Sequence, residues 1–319
     1  MSRIAFVGCG GIQQVHYQRL AQIDDVEFVG QCDVDLSCAE RAAQEHGGAP
    51  FDRPEVMYDA VKPDAVFIAV PPYAHGPAEM AAIERGIPMF IEKPVALDKR
   101  TARSIARAVS KARLLCSVAY CFRYHDTVRA ARQFLKGRPI CLVSAEWRGG
   151  LPQTWWWRRM ECSGGQFVEQ TTHLVDLIRY LCGDVAEVYA VGSSGCMTAL
   201  PDYSVHDSSV ASLRLKNGAV ASVASTCVSE HESRVALHIL TPEASVTFSD
   251  GRVAIREDGQ ITERLPQADI YLAEDRAFIY ALRSGKRSGI RSTYADALKT
   301  FLVTAAANES MQSGLPVRV

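Results

Sequence analysis

IAFVGCGGIQ, at residues 4–13, is the stretch that decides the fold. Its apolar part, Ile4–Val7, predicts a buried strand that leads directly into a glycine-rich turn. Glycine permits a tight turn and lets backbone amides approach a phosphate, which the N-terminus of the following helix then stabilises. The stretch therefore predicts the first strand, turn and helix of a dinucleotide-binding Rossmann domain. The residues of this turn predicted to bind the dinucleotide are Gly8, Gly10, Gly11, Ile12 and Gln13.

Two further residues define the ligand that this turn would bind. Gln13 stands where the fingerprint has its third glycine, so its bulkier side chain either separates helix from strand or meets the phosphates. Asp33 ends the second predicted strand, Glu27–Cys32, where a carboxylate accepts hydrogen bonds from ribose hydroxyls. A carboxylate also repels a 2′-phosphate, and no Arg or Lys follows at residues 34–36, so NAD is favoured over NADP. The alternative for Asp33 is a turn residue that caps the next helix.

The remainder of the first 120 residues alternates short apolar runs with helical patterns. Further strands are predicted at Ala65–Val70, Pro88–Ile91 and Leu115–Ala119. Each run is apolar on both faces, as in a parallel sheet that helices cover on both sides. We therefore predict an α/β Rossmann domain over residues 1–120.

After residue 120 the pattern changes to long runs of alternating polarity. They are Cys141–Trp147, Val185–Val191, Ser208–Leu215, Val220–Thr226, Val235–Leu240 and Val246–Phe248. Asn217-Gly218 between two of them is a strong hairpin signal. We predict an α+β domain over residues 121–319 with a large, mostly antiparallel open sheet. Its final helices, Ala273–Arg283 and Tyr294–Ser310, are expected to pack against the domain junction.

Composition excludes several classes of protein. Hydrophobic residues make up 48% of the chain and charged residues 22%, a balance typical of soluble globular proteins. Because 35 basic residues face 36 acidic ones, we expect neither a nucleic-acid nor a membrane partner. No export signal or membrane-length apolar stretch is visible, which predicts a cytoplasmic protein. The ten cysteines and eight histidines show no metal-ligand spacing, so we expect no metal and mostly reduced core cysteines.

Five ordered stretches resemble the Gfo/Idh/MocA oxidoreductases, a family that includes glucose-fructose oxidoreductase and inositol dehydrogenases. They are GCGGI at 8–12 with His16, VPPYAH at 70–75, GIPMFIEKP at 86–94, SGG at 163–165 with His173 and Asp176, and ANES at 307–310 with Gly314. The resemblance covers nearly the whole chain. It implies NAD-dependent oxidation or reduction of a secondary hydroxyl in a sugar, sugar acid or cyclic polyol, by a homodimer or homotetramer formed through the C-terminal sheet. It adds Pro71, His75, Glu92 and Lys93 to the cofactor-binding residues.

Lys93 and His173 are the predicted catalytic residues. Lys93 follows a predicted strand, at the carboxyl edge where open α/β sheets bind ligands, and its ammonium group would stabilise a developing alkoxide. Ser163 and Gln166 have capping-box spacing, which predicts one helix from Gly164 to before Gly183.

On that helix, Glu169 and His173 would share one face, with Asp176 close to it. A carboxylate can orient an imidazole, whose unperturbed pKa of about 6.5 suits a general acid and base. We therefore predict that Glu169 assists His173 in catalysis. The alternative is a core histidine that Glu169 holds in a structural network.

WWWRR at residues 155–159 predicts a substrate-binding segment. Indole faces stack on sugar rings, and arginine binds carboxylates or phosphates through two parallel hydrogen bonds. The alternative is that at least two of the tryptophans fill the core between the domains. Arg123, with Tyr124, resembles an Arg-aromatic pair of the family. The predicted substrate-binding residues are Arg123, Trp157, Arg158, Glu169 and Asp176.

Two other functions stay open from the sequence. One is a sugar-modifying lyase, glycosidase or epimerase that oxidises its substrate transiently with bound NAD. The other is a catalytically silent NAD-binding regulator, against which the intact Lys93 and His173 argue. Net formation of NADH distinguishes a dehydrogenase from the transient oxidation.

Overall fold

The computed structural model describes residues 1–319, which form two compact units. The strands are β1 (Ser2–Val7), β2 (Val26–Cys32), β3 (Ala49–Phe51), β4 (Ala65–Ile68), β5 (Met89–Ile91), β6 (Cys116–Val118), β7 (Leu142–Arg148), β8 (Val185–Ser193), β9 (Ser208–Leu215), β10 (Val220–Thr226), β11 (Arg234–Leu240), β12 (Ala244–Ser249), β13 (Arg252–Glu257), β14 (Gln260–Arg264) and β15 (Val317–Arg318). The α-helices are α1 (Gly11–Leu20), α2 (Leu36–His46), α3 (Pro54–Val61), α4 (Pro77–Glu84), α5 (Lys99–Ala112), α6 (Asp126–Leu135), α7 (Met160–Ser163), α8 (Gly165–Glu169), α9 (Thr172–Cys182), α10 (Ile270–Ser284) and α11 (Tyr294–Ser313).

The first unit contains a six-stranded parallel sheet in the order β3-β2-β1-β4-β5-β6. In this register Val7, the last residue of β1, pairs with Cys32 on one side and Ile68 on the other. The carboxyl ends of three adjacent strands therefore meet at one edge of the sheet. The predicted Rossmann architecture is confirmed, and this edge is where such sheets bind ligands.

The first unit is not a continuous stretch of chain. It comprises Met1–Cys121 and Asp269–Leu298, whereas the prediction from sequence placed everything after residue 120 in the second domain. Phe278 and Ile279 on α10 are fully buried in one apolar cluster with Phe6 of β1. Burial of these side chains explains why α10 belongs to the parallel-sheet unit.

The second unit, Phe122–Ala268 with Lys299–Val319, is built on a nine-stranded sheet. Its order is β14-β13-β12-β11-β7-β10-β9-β8-β15, and every pairing is antiparallel except that of β7 with β10. The predicted hairpin at Asn217-Gly218 joins β9 to β10, with Gly218 at φ +92°. The apolar stripe of α9 is buried in one cluster with inward residues of the sheet. The predicted α+β domain with a mostly antiparallel sheet is confirmed.

None of the helices is both long enough and apolar enough to cross a bilayer. All ten cysteines are free, and six of them are buried, as expected for small apolar core residues.

Candidate active site

The glycine turn leaves room for a ligand at the start of α1. Gly8 lies at φ +86°, and a Cβ there would come within 2.3 Å of the carbonyl oxygen of Ala69, so only glycine fits. A Cβ on Gly10 or Gly11, in contrast, would meet no atom within 4 Å. The helix has neither a capping side chain nor an acidic residue in its first turn. Its free N–H groups and positive dipole end are therefore available to an anion.

The thiol of Cys9 contributes no negative charge to this turn. Burial raises its pKa to about 12 despite a hydrogen bond from Tyr17, so the thiol stays protonated near neutral pH. A neutral group here is compatible with an anionic ligand.

Asp33 organises the turn as well as the predicted ribose site. It directly follows β2, and its Oδ2 accepts the backbone N–H of Cys9 at 2.8 Å. Its Oδ1 accepts the N–H of Asp35 at 3.0 Å, and Asp35 rather than Asp33 caps α2. The carboxylate thus connects the glycine turn to the end of the neighbouring strand, while Val34 beside it is 96% exposed and offers no positive charge.

Gln13 is buried on the inner side of α1 with no solvent exposure. Neither Oε1 nor Nε2 of its amide has a hydrogen-bond partner. A buried amide without hydrogen-bond partners lowers the free energy of unfolding by about 1–3 kcal/mol. The glutamine that replaces the third glycine of the fingerprint therefore destabilises this structure.

His75 holds the turn that follows β4. Its Nδ1 lies 2.6 Å from Oε1 of Glu79, whose Oε2 accepts the N–H of Gly76 at 2.7 Å. The ring is buried and its Nε2 has no partner. Pro71 stands half-buried just before the short 3₁₀ turn Pro72–Ala74.

Glu92 and Lys93 lie just past the end of β5, as the sequence predicted. Lys93 is half-buried, and its backbone N–H donates to Oε2 of Glu92 at 3.0 Å. The peptide bond between Lys93 and Pro94 is cis. Oε1 of Glu92 lies 3.1 Å from Nε2 of the buried His16, whose Nδ1 faces Asp275 at 2.9 Å. Asp275 was not among the predicted residues, because no local pattern indicates a partner 259 positions away.

In the second unit the predicted single helix is broken between Glu169 and His173. α8 ends at Glu169 and α9 begins at Thr172. Between them the N–H of Thr171 reaches back five residues to the carbonyl of Gln166 and opens the helical turn. The prediction of one continuous helix through Glu169 and His173 is therefore wrong.

The predicted capping box is also wrong. Gly164 adopts a left-handed conformation, and Oγ of Ser163 accepts the N–H of Gly165, where α8 begins. Gln166 does not reach back to Ser163, because its Nε2 donates to the carbonyl of Thr226 at 2.8 Å.

Trp157 supports Glu169 from the core of the second unit. The indole is 1% exposed and packs in a cluster with Val205 and Cys227. Its Nε1 donates to Oε2 of Glu169 at 2.7 Å. The structure thereby corrects the prediction that Trp157 offers its ring to a sugar, whereas the indole of Trp155 is 55% exposed.

His173 lies near the start of α9 with its ring held between aromatic side chains. Its centroid is 4.6 Å from that of Phe122 and 6.0 Å from that of Trp147, with nearly parallel planes. The ring is 7% exposed, so stacking fixes its orientation.

Arg123 and Asp176 bind each other. Two hydrogen bonds of 2.6 Å join the guanidinium to the carboxylate, and Thr300 donates to the same carboxylate at 2.8 Å. Both side chains are almost fully buried. Because both side chains are buried and pair with each other, the geometry favours a structural ion pair over the predicted role in substrate binding.

Arg158 is the predicted substrate-binding residue with an unsatisfied donor. It is half-buried, and its Nε has no hydrogen-bond partner. The adjacent Arg159, in contrast, pairs with Glu161 at 2.7 Å.

These residues fit a nicotinamide dinucleotide. The open faces of Gly10 and Gly11, the uncapped helix N-terminus and the carboxylate of Asp33 suit a pyrophosphate and an unphosphorylated ribose. A family model described as the oxidoreductase family with an NAD-binding Rossmann fold matches residues 2–120. A model for the GFO/IDH/MocA C-terminal domain matches residues 133–254. The fold and this site therefore define an NAD-binding oxidoreductase.

The chain belongs to the Gfo/Idh/MocA family, as its sequence motifs indicated. It is 25% identical over 336 aligned positions to scyllo-inositol 2-dehydrogenase (NAD(+)) of Bacillus subtilis, covering 99% of this chain and 96% of that protein. It is 30% identical over 191 positions to D-glucoside 3-dehydrogenase of Escherichia coli, covering 57% and 54%. The WlbA dehydrogenase of Bordetella pertussis, solved with NADH and UDP-GlcNAcA, has the same fold, with a TM-score of 0.87, 24% identity and coverage of 100% and 98%.

Proposed function

We propose that the protein oxidises or reduces one secondary hydroxyl of a sugar, sugar acid or cyclic polyol. The observation that carries the proposal is the position of Lys93 just past β5, with its backbone anchored to Glu92. Relatives named as dehydrogenases of inositol and of D-glucosides support this class of substrate.

Bound NAD would accept the hydride, or NADH would return it. Gly8, Gly10, Gly11 and Ile12 would hold the phosphates of the cofactor, and Asp33 its ribose. Pro71, His75, Glu92 and Lys93 would line the rest of the cofactor site. NADP is disfavoured because Asp33 would repel its additional phosphate.

In the chemical step Lys93 and His173 would act on the same hydroxyl. The ammonium of Lys93 stabilises the oxygen as negative charge develops on it. The imidazole of His173 accepts the hydroxyl proton during oxidation and returns it during reduction. Glu169, oriented by the indole of Trp157, is the carboxylate that would assist the histidine and contact the substrate.

Lys93→Ala is the test of this mechanism. Loss of one preorganised stabiliser of an oxyanion typically lowers kcat by about 100- to 1,000-fold, while NAD should still bind. The matched control is Lys111→Ala, since Lys111 lies exposed on α5. Turnover of Lys93→Ala near the wild-type rate would refute the assignment.

A panel of polyols, sugars and sugar acids, with NAD and NADP in parallel, identifies the substrate class. Steady NADH formation is expected with at least one member. Product formation without NADH would instead indicate transient oxidation, and tight NAD binding with no turnover of any member would indicate a regulator.

Arg158 supports the acidic members of that panel. A guanidinium donor that is buried without a partner favours a ligand oxygen, and carboxylates match the geometry of arginine. If a sugar acid is the substrate, Arg158→Ala should raise its KM by roughly tenfold or more and change that of the neutral sugar little.

We also propose a cytoplasmic homodimer or homotetramer that associates through the nine-stranded sheet. Val191 of β8 and Val210 of β9 pair with each other and are 51% and 49% exposed. Tyr189 on β8 and Val220 on β10 are likewise exposed. Sedimentation equilibrium of the wild type and of Val210→Lys tests this interface, and a monomeric wild type would refute it.

A further inference from the structure

We propose that His16 is a positioning residue that fixes Lys93 through Glu92. Nε2 of His16 lies 3.1 Å from Oε1 of Glu92, and Oε2 of the same carboxylate accepts the backbone N–H of Lys93 at 3.0 Å. The inference rests on the proposed role of Lys93 in the reaction. His16 takes no part in the proton transfer proposed above.

The chain brings three distant segments together to form this network. His16 is on α1, Glu92 follows β5, and Asp275 is on α10, which is the segment that returns to the first unit. Both oxygens of Asp275 lie within 3.1 Å of Nδ1 of His16. All three residues are almost fully excluded from solvent, with exposures of 0%, 5% and 0%.

A charged imidazole satisfies both contacts at once. A neutral imidazole has one N–H and can donate to only one of the two carboxylates, whereas an imidazolium donates to both. Burial lowers the pKa of His16, but Asp275 and Glu92 outweigh it and hold that pKa well above its ordinary value. The histidine is thus a buried cation between two carboxylates.

A third carboxyl group in this cluster stays neutral. Glu274 is fully buried, and neither of its oxygens has a hydrogen-bond partner. Burial raises its pKa well above the ordinary value, and the charge of Asp275 raises it further. Four titratable groups face the imidazole of His16: Glu92, Tyr271, Glu274 and Asp275.

A bound metal ion is the alternative explanation for this cluster of side chains. Donor atoms of His16, Glu92 and Glu274 lie within 4.8 Å of one another. Both ring nitrogens of His16, however, lie 2.9–3.1 Å from carboxylate oxygens, which are hydrogen-bond distances. The geometry therefore favours the hydrogen-bonded network.

Loss of the charged imidazole of His16 should displace Lys93 without removing its ammonium group. Without His16, Glu92 would be a buried carboxylate that has lost its imidazolium partner, which is costly enough to make it protonate or turn towards solvent. Either change weakens its hold on the N–H of Lys93. A displacement of about 1 Å in a catalytic group can lower the rate by roughly 100-fold.

His16→Gln tests the proposal, with kcat and the KM of the substrate measured separately. We expect kcat to fall by about 10- to 100-fold while NAD affinity and the melting temperature change little. In a Lys93→Ala background the same substitution should have no further effect on kcat. His238→Gln is the matched control. His238 lies on β11 in the other unit, and its side chain hydrogen-bonds to Thr247.

The outcomes separate this inference from the function it rests on. If Lys93→Ala retains activity, the proposed function fails. If Lys93→Ala is inactive but His16→Gln keeps the wild-type kcat, or lowers kcat further in the Lys93→Ala background, the positioning role is refuted. A stoichiometric divalent metal in the purified protein that His16→Gln removes would also refute it.

Asp275→Asn provides a second test if His16→Gln does not fold. The amide oxygen can still accept the N–H of His16, but its missing charge lowers the pKa of the imidazole. The variant should therefore lose kcat as the pH rises through a range where the wild type is constant. A pH profile parallel to that of the wild type would contradict the inference.

Discussion

Replacement of Gln13 by leucine should stabilise the protein in the absence of cofactor. The two side chains are similar in volume, and the amide of Gln13 is fully buried with neither polar atom bonded. An unmade hydrogen bond of a buried amide costs about 1–3 kcal/mol, which leucine would not incur. At about 2–4 °C per kcal/mol for a domain of this size, the melting temperature should rise by at least about 2 °C.

Calorimetry of the cofactor-free wild type and of Gln13→Leu measures that change, with Gln13→Ala as a second variant. Alanine also removes the unpaired amide but leaves a cavity, so it should be less stable than leucine. A lower melting temperature for Gln13→Leu would refute the reasoning, because it would mean that the amide makes a favourable contact. Titration with NAD then shows whether the amide serves the cofactor, in which case leucine weakens binding although it stabilises the empty protein.

Three further predictions concern charged residues. Asp33→Asn keeps one oxygen, which can still accept one of the two N–H groups that the carboxylate accepts, but removes the charge, so the ratio of NADP to NAD affinity measured by titration should rise by roughly tenfold. Arg123→Ala removes the guanidinium that pairs directly with the buried Asp176 and should lower the free energy of unfolding in urea by about 3–5 kcal/mol, whereas Arg85→Ala at an exposed ion pair should leave the urea midpoint nearly unchanged. Burial raises the pKa of Glu274 in the folded state above its unfolded pKa of about 4.3. The wild type therefore loses stability as the pH rises above that unfolded pKa. Glu274→Gln does not titrate, so the difference in melting temperature between this variant and the wild type should grow from about pH 5 to about pH 8.

Local patterns in the sequence were sufficient for the architecture of both units. The strand, turn and helix at residues 4–13 and the position of Lys93 follow from apolar runs, glycines and the ends of strands, all of which are signals within a few residues. The hairpin at Asn217-Gly218 is of the same kind. β3 was not predicted because three residues are too few for a period, and β14 was not predicted because all five of its residues are exposed.

Contacts between distant residues were beyond such patterns. Arg123 and Asp176 were predicted as separate substrate ligands, yet they are each other's partners across 53 positions. The sequence predicted one helix through Glu169 and His173, but the widened turn at Thr171 depends on tertiary packing that no periodicity records. The parallel pairing of β7 with β10 also brings together strands far apart in the chain.

The discontinuous first unit has a consequence for synthesis on the ribosome. Residues 1–121 emerge first, but the helix that completes their apolar core and supplies Asp275 follows only after the whole segment 122–268. The cofactor-binding domain therefore cannot finish folding before nearly all of the chain has been translated. Until α10 has been synthesised, the faces of Phe67 and Phe90 that Phe278 covers stay exposed, and apolar surface exposed in this way is prone to aggregation.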